Sequence, residues 1–284
     1  MADVPRAERK ARPLNTMKVL KREQVGSHIV RLTLGGPDIV NFIEKKATDR
    51  YIKILFAKPE LQLEMPYNMY ELREKLPLED LPVRRTYTVR RSDIEAGTIE
   101  VDFVTHGEQG LAGPWAQRAQ IGEQVCFAGP GGLYAPSPEF DFHLLVGDET
   151  SIPAISASLE GMEPDMVGQV VLEVAGPEDE LELTAPQGVQ IRWVHRGGPF
   201  TPQNTVLESV VRSLPWPQGR VQVFAHAERE VTKGLRHYFY DERKVPRREM
   251  SISAYWAYGR AEDAFQAEKQ TPQGWIFEGG PLKK

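Results

Sequence analysis

The chain has 284 residues and a formal net charge of −5, with 40% hydrophobic and 26% charged residues. This length predicts two domains, and the acidic balance disfavours a general binder of nucleic acid or of anionic membranes. The single cysteine, Cys126, excludes an intramolecular disulfide and a four-cysteine metal site, as suits a reducing cytoplasm. No apolar run approaches the length of a membrane span, so we expect a cytoplasmic protein without a signal peptide.

The first half of the chain consists of short β-type segments. They are rich in β-branched and aromatic residues, are bounded by Gly, Pro or Asp, and cover residues 17–36, 50–57, 84–91, 98–106 and 123–129. No long amphipathic helix interrupts them before about residue 108. This pattern predicts an N-terminal antiparallel β-barrel over residues 15–136.

The second half alternates strands with helices. Apolar strands are predicted at residues 142–148, 169–175, 190–196, 220–227 and 250–256, with helices at 152–162, 205–214 and 230–243. Continuous apolar runs indicate a parallel sheet covered on both faces, and hence a C-terminal α/β domain over residues 140–265. Residues 266–284 remain as a tail without an assigned role.

The heptapeptide RRTYTVR, residues 84–90, concentrates positive charge beside an aromatic ring and two hydroxyl groups. On a strand, Arg85, Tyr87 and Val89 share one face. Arginine suits a diphosphate, tyrosine offers a stacking surface, and Thr88 offers a hydroxyl for a ring nitrogen or carbonyl. This combination favours a flavin nucleotide, and the alternative is an ordinary exposed edge strand.

Two further segments have the composition expected of ligand-binding loops between a strand and a helix. Residues 102–116, DFVTHGEQGLAGPWA, run from a strand through three glycines to a possible short helix, where backbone N–H groups would suit a phosphate. The alternative is a turn with a packed tryptophan, and for His106 a structural hydrogen bond. Residues 146–155, VGDETSIPAI, link a strand end to a helix start, where Asp148 or Thr150 could also serve only as a cap.

No G-x-G-x-x-G or phosphate-loop fingerprint occurs. The order of the motifs, however, resembles that of the siderophore-interacting flavoproteins, the FAD-dependent ferric-siderophore reductases of the ferredoxin-reductase-like superfamily. The resemblance covers about residues 15–265. It rests on four segments in order: RTYTVR at 85–90, DFVTHGEQG at 102–110 with WA at 115–116, GDETSIPAI at 147–155, and YWAYGRAED at 255–263.

The resemblance implies roles for particular residues. It places Arg85 toward the FAD diphosphate and Tyr87 and Thr88 against the isoalloxazine. Further cofactor-binding residues would be Asp102, Val104, His106, Gly110, Ala112 and Trp115, and residues on the nicotinamide side would be Asp148, Glu149 and Thr150. The sequence departs from the family at Gly113, where a small hydroxylated residue is common.

Basic residues near the flavin edge attract anionic ferric siderophores in this family. Lys53, within an apolar strand, and Arg260, in the C-terminal motif, match that expectation. The alternatives are a snorkelling lysine and, for Arg260, an ion pair with Glu262 or Asp263. A third basic partner is not evident. Six scattered histidines give no metal site, so iron would arrive with the siderophore.

The resemblance therefore implies a ferric-siderophore reductase that uses FAD to pass electrons from NADPH, NADH or reduced ferredoxin to Fe(III)-siderophore, releasing Fe(II) for iron assimilation. Hydride from the nicotinamide would reduce FAD, and two ferric siderophores would then each take one electron. Two alternatives stay open: a flavin reductase with another acceptor, and a siderophore carrier that has lost flavin.

Overall fold

The computed structural model describes residues 14–43, 45–105, 107–108 and 110–280. Six strands close an antiparallel barrel in the order β1-β2-β5-β4-β3-β6, as predicted. Their bounds are β1 Leu14–Gly26, β2 Ile29–Gly35, β3 Tyr51–Phe56, β4 Val83–Asp93, β5 Thr98–Val104 and β6 Gln124–Gly131. Two short helices, α1 (Met69–Lys75) and α2 (Ala112–Arg118), lie in the connections.

Alternation along the strands builds the barrel core. In β5, Ile99, Val101 and Phe103 are fully buried and pack in one cluster with Val89 of β4 and Phe127 of β6. Each such side chain contributes roughly 1.5–3 kcal/mol through its burial. The segment predicted over residues 17–36 is a pair of strands, β1 and β2, joined by a tight turn.

The second domain is a five-stranded parallel sheet in the order β11-β10-β7-β8-β9, again as predicted. Its elements are β7 Phe142–Asp148, α3 Ile152–Glu160, β8 Gly168–Val174, β9 Val189–His195, α4 Val206–Ser213, β10 Val221–Glu228, α5 Arg229–Arg236, β11 Met250–Trp256 and α6 Glu262–Glu268. The helix predicted over residues 230–243 is α-helical only to Arg236, and a π-helical segment, His237–Glu242, continues it.

Central strand β7 is buried on both faces, which explains why its sequence is apolar without alternation. The order of strands reverses at β7, because β8 and β9 lie on one side of it and β10 and β11 on the other. In such sheets the crevice at the carboxyl ends of the central strands is where ligands bind.

The C-terminal tail is folded onto the second domain. Helix α6 spans the proposed boundary at residues 265–266, and the segment after it packs on α5: Lys233 and Arg236 donate to the carbonyls of Gln273 and Ile276. Phe277 lies edge-on to Tyr240. Within the described ranges, no helix is long and apolar enough to span a membrane.

Candidate functional site

Strand β4 has one open edge next to the motif that carries its arginines. It pairs with β3 from Val83 to Thr88, but with β5 only from Val89 onward. Both neighbouring strands lie wholly within the described residues, so the edge from Arg84 to Thr88 has no strand partner on the β5 side. Backbone and side chains at this edge are therefore available to another element or to a ligand.

Helix α6 contacts this open edge. The Thr86 N–H donates to the Glu262 carboxylate at 2.9 and 3.3 Å. The Arg85 guanidinium lies 3.0 Å from Asp263 and also donates to the carbonyl of Arg84. Burial raises the pKa of Glu262. Two carboxylates of the second domain thus hold the strand segment that the resemblance assigns to FAD.

Tyr87 and Trp115 are packing residues at one end of the barrel. The Tyr87 ring lies 4.3 Å from that of Phe103, and Trp115 packs edge-on against Phe56 and Phe103. The Trp115 indole donates to Glu123 at 2.7 Å. Burial raises the pKa of Tyr87, so its hydroxyl stays protonated.

The carboxylate of Asp102 is already paired. Arg31 on β2 binds both of its oxygens, at 2.6 and 2.9 Å, and Asp102 is only 3% exposed. Val104 is half-buried at the end of β5. The interaction of Asp102 is therefore within the barrel wall, a pairing that sequence reasoning missed.

The glycine-rich loop leads into the short helix α2, which begins at Ala112. Gly110 adopts a left-handed φ of 80°, and Ala112 is buried. A Cβ on Gly113 would lie 3.3 Å from the Val104 carbonyl, so glycine allows α2 to approach β5. His106 lies outside the described residues, and its predicted role stays a prediction.

Two lysines lie near each other at the outward face of β3 and β4. Lys53 is directly opposite Thr86 in the β3–β4 register. Lys269, just after α6, donates to the Ala254 carbonyl at 2.9 Å. Burial lowers the pKa of Lys269 to about 8; the Glu262 carboxylate opposes this shift and the nearby Lys53 adds to it. Within the described part of the chain, neither ammonium group lies within 4 Å of a carboxylate.

Two buried side chains line this region. Tyr255 lies close to Thr88, and burial raises the tyrosine pKa. Burial also lowers the pKa of His226 to about 3, with Lys269 adding to the effect. His226 is therefore neutral at physiological pH, and the positive charge here comes from the lysines.

Asp148 organises the carboxyl edge of the parallel sheet. One of its oxygens accepts from the backbone N–H and hydroxyl of Thr150, which makes it the cap that the sequence allowed. The other accepts from the Glu228 N–H at 2.9 Å and the Trp256 indole at 2.8 Å. Burial raises the Asp148 pKa to about 7 although all four donors favour the ionised form.

The remaining predicted residues of this edge are ion-paired. Glu149 binds Arg196 through both oxygens, at 2.8 and 2.6 Å. Arg260 pairs with Glu268 at 2.6 Å, so its ion-pair partner is not Glu262 or Asp263, the partners considered in the alternative interpretation. Glu268 also pairs with Arg229, which holds α6 against the start of α5. The predicted role of Arg260 toward the siderophore stays a prediction.

Sequence reasoning did not place Glu262, Asp263 or Lys269 at the site: it considered the first two only as possible partners of Arg260, and Lys269 lies in the tail that it left without a role. The sequence did contain a signal for a short helix here. Two acidic residues stand where the first turn would be, and Phe265 and Lys269 follow at a spacing that places them on the same helix face. Phe265 is buried at 2% exposure, and the Lys269 ammonium lies 4.3 Å from its ring centroid.

Comparison with known proteins agrees with this architecture. Residues 18–134 match the siderophore-interacting FAD-binding domain and residues 140–259 match the siderophore-interacting protein family. An uncharacterized protein of Mycobacterium tuberculosis is 42% identical, over 91% of this chain and 95% of its own. Ferric vibriobactin reductase ViuB of Vibrio cholerae is 33% identical, over 88% of this chain and 92% of its own.

Among solved structures, a siderophore utilization protein from T. fusca superimposes with a TM-score of 0.75 at 30% identity, covering 88% of this chain and 94% of that one. Both domains of the chain are thus matched, in the order in which they occur. The resemblance drawn from the motifs is confirmed, and the chain belongs to the siderophore-interacting protein family.

Proposed function

We propose that the protein is an FAD-dependent ferric-siderophore reductase. The observation that carries this proposal is the pair Lys53 and Lys269: Lys53 lies on β3 of a domain of the FAD-binding type, opposite Thr86 of β4, and Lys269 of the second domain is near it. A relative with 33% identity is named a ferric vibriobactin reductase, which supports the same reaction for this chain.

The residues at the open edge fit FAD. Arg85 offers planar donors for a diphosphate and its present partner, Asp263, is an exposed carboxylate that a diphosphate can replace. Thr88 is only 8% exposed and lies beside Tyr255. Because its side chain has little freedom to move, its hydroxyl can hold the edge of the isoalloxazine ring in one orientation. Bound FAD would supply the redox chemistry, taking two electrons from a donor and giving them singly to iron.

The lysine pair supplies the substrate side. Burial is the main cause of the lowered Lys269 pKa, and the like charge of Lys53 adds to it, so an anionic ligand near both ammonium groups would be attracted by both. Ferric catecholate and hydroxamate complexes are bulky and often anionic, whereas a neutral quinone gains nothing from this pair. The site therefore favours an anionic ferric chelate over the acceptors of a general flavin reductase.

Iron leaves after reduction because Fe(II) is held more weakly than Fe(III) by hard oxygen ligands. The chain needs no acid or base for electron transfer, so the protein's task is to bind, orient and bring the two partners together. The donor is proposed to be NADH or NADPH, with reduced ferredoxin as the other possibility.

An anaerobic absorbance experiment tests this function. The purified protein, reconstituted with FAD, receives NADH or NADPH and then a ferric siderophore with a ferrous-iron trap. We expect a flavin band that bleaches with the donor and returns as ferrous iron appears. A protein that binds ferric siderophore but never FAD would contradict the proposal and support a carrier. Flavin reduction that is reoxidised by quinone but not by ferric chelates would support a general flavin reductase.

A further inference from the structure

A cleft of about 230 Å³ opens at the carboxyl edge of the parallel sheet, between the loop that precedes α4 and the start of α5. Strand β10 ends at Glu228, which lines the cleft. Since β10 and β8 flank β7 at the reversal of strand order, this is the region where an open α/β sheet binds a nucleotide.

One wall of the cleft is aromatic. The rings of Phe200 and Tyr258 have centroids 6.0 Å apart, and Tyr258 is 50% exposed. Trp256 packs edge-on against Phe200 at 5.0 Å, which fixes that ring in place. The two rings are tilted by 49° to each other, and with Pro202 they offer an apolar surface on which a purine can stack against one ring.

The facing wall carries carboxylates. Glu208 of α4 and Glu230 of α5 both line the cleft. One oxygen of the Glu208 carboxylate accepts from Arg212 at 2.8 Å, and the other packs directly over Gly234, where a Cβ would collide with it. Glu230 is the more exposed, with 63% of its side chain open to solvent. Carboxylate oxygens are acceptors for the two hydroxyl groups of an adenosine ribose.

The cations near the cleft are already neutralised. Arg229 is 8% exposed in its side chain and pairs with Glu230 and Glu268. Lys233 also pairs with Glu230, at 3.1 Å. The backbone N–H groups at the start of α5 are also not available to a phosphate, because those of Glu230 and Val231 donate to the Glu228 carboxylate. Among the described residues that line the cleft, none offers an unpaired positive charge to a phosphate.

We infer that this cleft binds the adenosine half of the nicotinamide donor, and that Glu208 and Glu230 select NADH over NADPH. The inference rests on the proposed function, in which a nicotinamide nucleotide is the donor. A free ribose 2′-hydroxyl can donate to these carboxylates, whereas the 2′-phosphate of NADPH would bring a like charge against them without a free cation to offset it.

Binding of nucleotide fragments tests the inference without relying on turnover. Isothermal titration of the FAD-loaded protein with ADP-ribose and with 2′-phospho-ADP-ribose should give at least about tenfold tighter binding of ADP-ribose. Glu230→Gln removes a carboxylate and frees Lys233 from its ion pair, while Arg229 keeps Glu268, so the preference should shrink toward equality. Glu163→Gln, which makes the same charge change in the exposed α3–β8 connection at the opposite edge of the sheet, should leave the preference unchanged.

Three results would overturn the inference: equal or tighter binding of the 2′-phosphate, an unaltered preference in Glu230→Gln, or binding of neither fragment. The proposed function is checked separately by photoreducing the flavin and adding ferric siderophore, because that step needs no nicotinamide. If the photoreduced protein releases ferrous iron while ADP-ribose fails to bind, the inference falls and the reductase stands. If ferrous iron does not appear, the proposed function itself fails.

Discussion

The outward face of β3 and β4 and the carboxyl edge of the parallel sheet have opposite electrostatic character. The first carries Lys53 and Lys269 without a carboxylate within ion-pairing distance among the described residues. At the second, the Asp148 carboxylate accepts from the Thr150 N–H and the Glu228 carboxylate caps the start of α5. Glu149 forms an ion pair with Arg196. The net charge of −5 is a sum over the whole chain and does not predict the local charge of either region. Tertiary placement decides which ligand charge each site accepts, and the proposed substrate and donor sites are separated accordingly.

Removing the organising carboxylate of the acidic edge should have the largest effect. Asp148→Ala leaves the Glu228 N–H and the Trp256 indole without their acceptor in a buried place. We expect the free energy of unfolding to fall by about 3 kcal/mol, as measured by urea denaturation. Asp165→Asn, an exposed substitution of the same residue type, should change it by less than about 0.5 kcal/mol. An unchanged urea midpoint for Asp148→Ala would show that this network is not needed for stability.

The next effect concerns FAD itself. Arg85→Ala removes the guanidinium proposed to bind the diphosphate, and its present partner Asp263 is exposed, so little stability should be lost. Because a hydrogen bond between charged groups contributes about 1.5–3 kcal/mol, the Kd for FAD, followed by flavin fluorescence, should rise about tenfold or more. Arg91→Ala, on the exposed end of the same strand, is the control. Equal FAD retention by both variants would remove Arg85 from this role.

The pKa of Lys269 predicts a pH dependence on the basic side. This pKa is lowered to about 8, so the ammonium is charged below that pH and loses its charge as the pH rises through it. The KM for an anionic ferric siderophore should therefore rise severalfold above about pH 8, while the KM for a neutral chelate stays flat. Lys53→Ala removes the like charge and should move the rise to higher pH. An unshifted profile in Lys53→Ala would contradict the coupling of the two lysines.

The smallest effect is expected from the exposed carboxylate that competes for Arg85. Asp263→Asn breaks a surface ion pair, which is worth about 0.2–1 kcal/mol. The Kd for FAD should accordingly fall by about twofold to threefold. Glu242→Gln, an acidic residue of the π-helical segment, serves as the matched control. Weaker FAD binding in Asp263→Asn would indicate that α6 supports the cofactor and does not compete with it.

The two halves of the fold could be predicted because their strand patterns differ. Alternation in β5 indicates a strand with one buried face, and the unbroken apolar run of β7 indicates a strand buried on both. The motif at residues 85–88 could be assigned to the barrel, because it lies within a predicted strand, residues 84–91, that stands between other predicted strands of the first half of the chain. The pairing of Asp102 with Arg31 could not, because the register that places residue 31 opposite residue 102 is known only from the sheet.

The C-terminal contribution to the site was beyond sequence reasoning for a similar reason. A short acidic helix is an ordinary surface element by its pattern alone. Only the packing of α6 on the open edge of β4 brings Glu262 to Thr86 and Lys269 to Lys53. Nor could the sequence show that Arg260, its candidate on the substrate side, shares the Glu268 carboxylate with Arg229.

The most direct test of the account is a single-turnover measurement on photoreduced, FAD-loaded protein. Stopped-flow mixing with an anionic ferric siderophore should reoxidise the flavin with saturation at low siderophore concentration. The double variant Lys53→Ala/Lys269→Ala should need a much higher concentration, while the same two proteins reoxidise equally with a neutral chelate. Identical concentration dependence for wild type and double variant with the anionic siderophore would contradict the claim that these lysines form the substrate site.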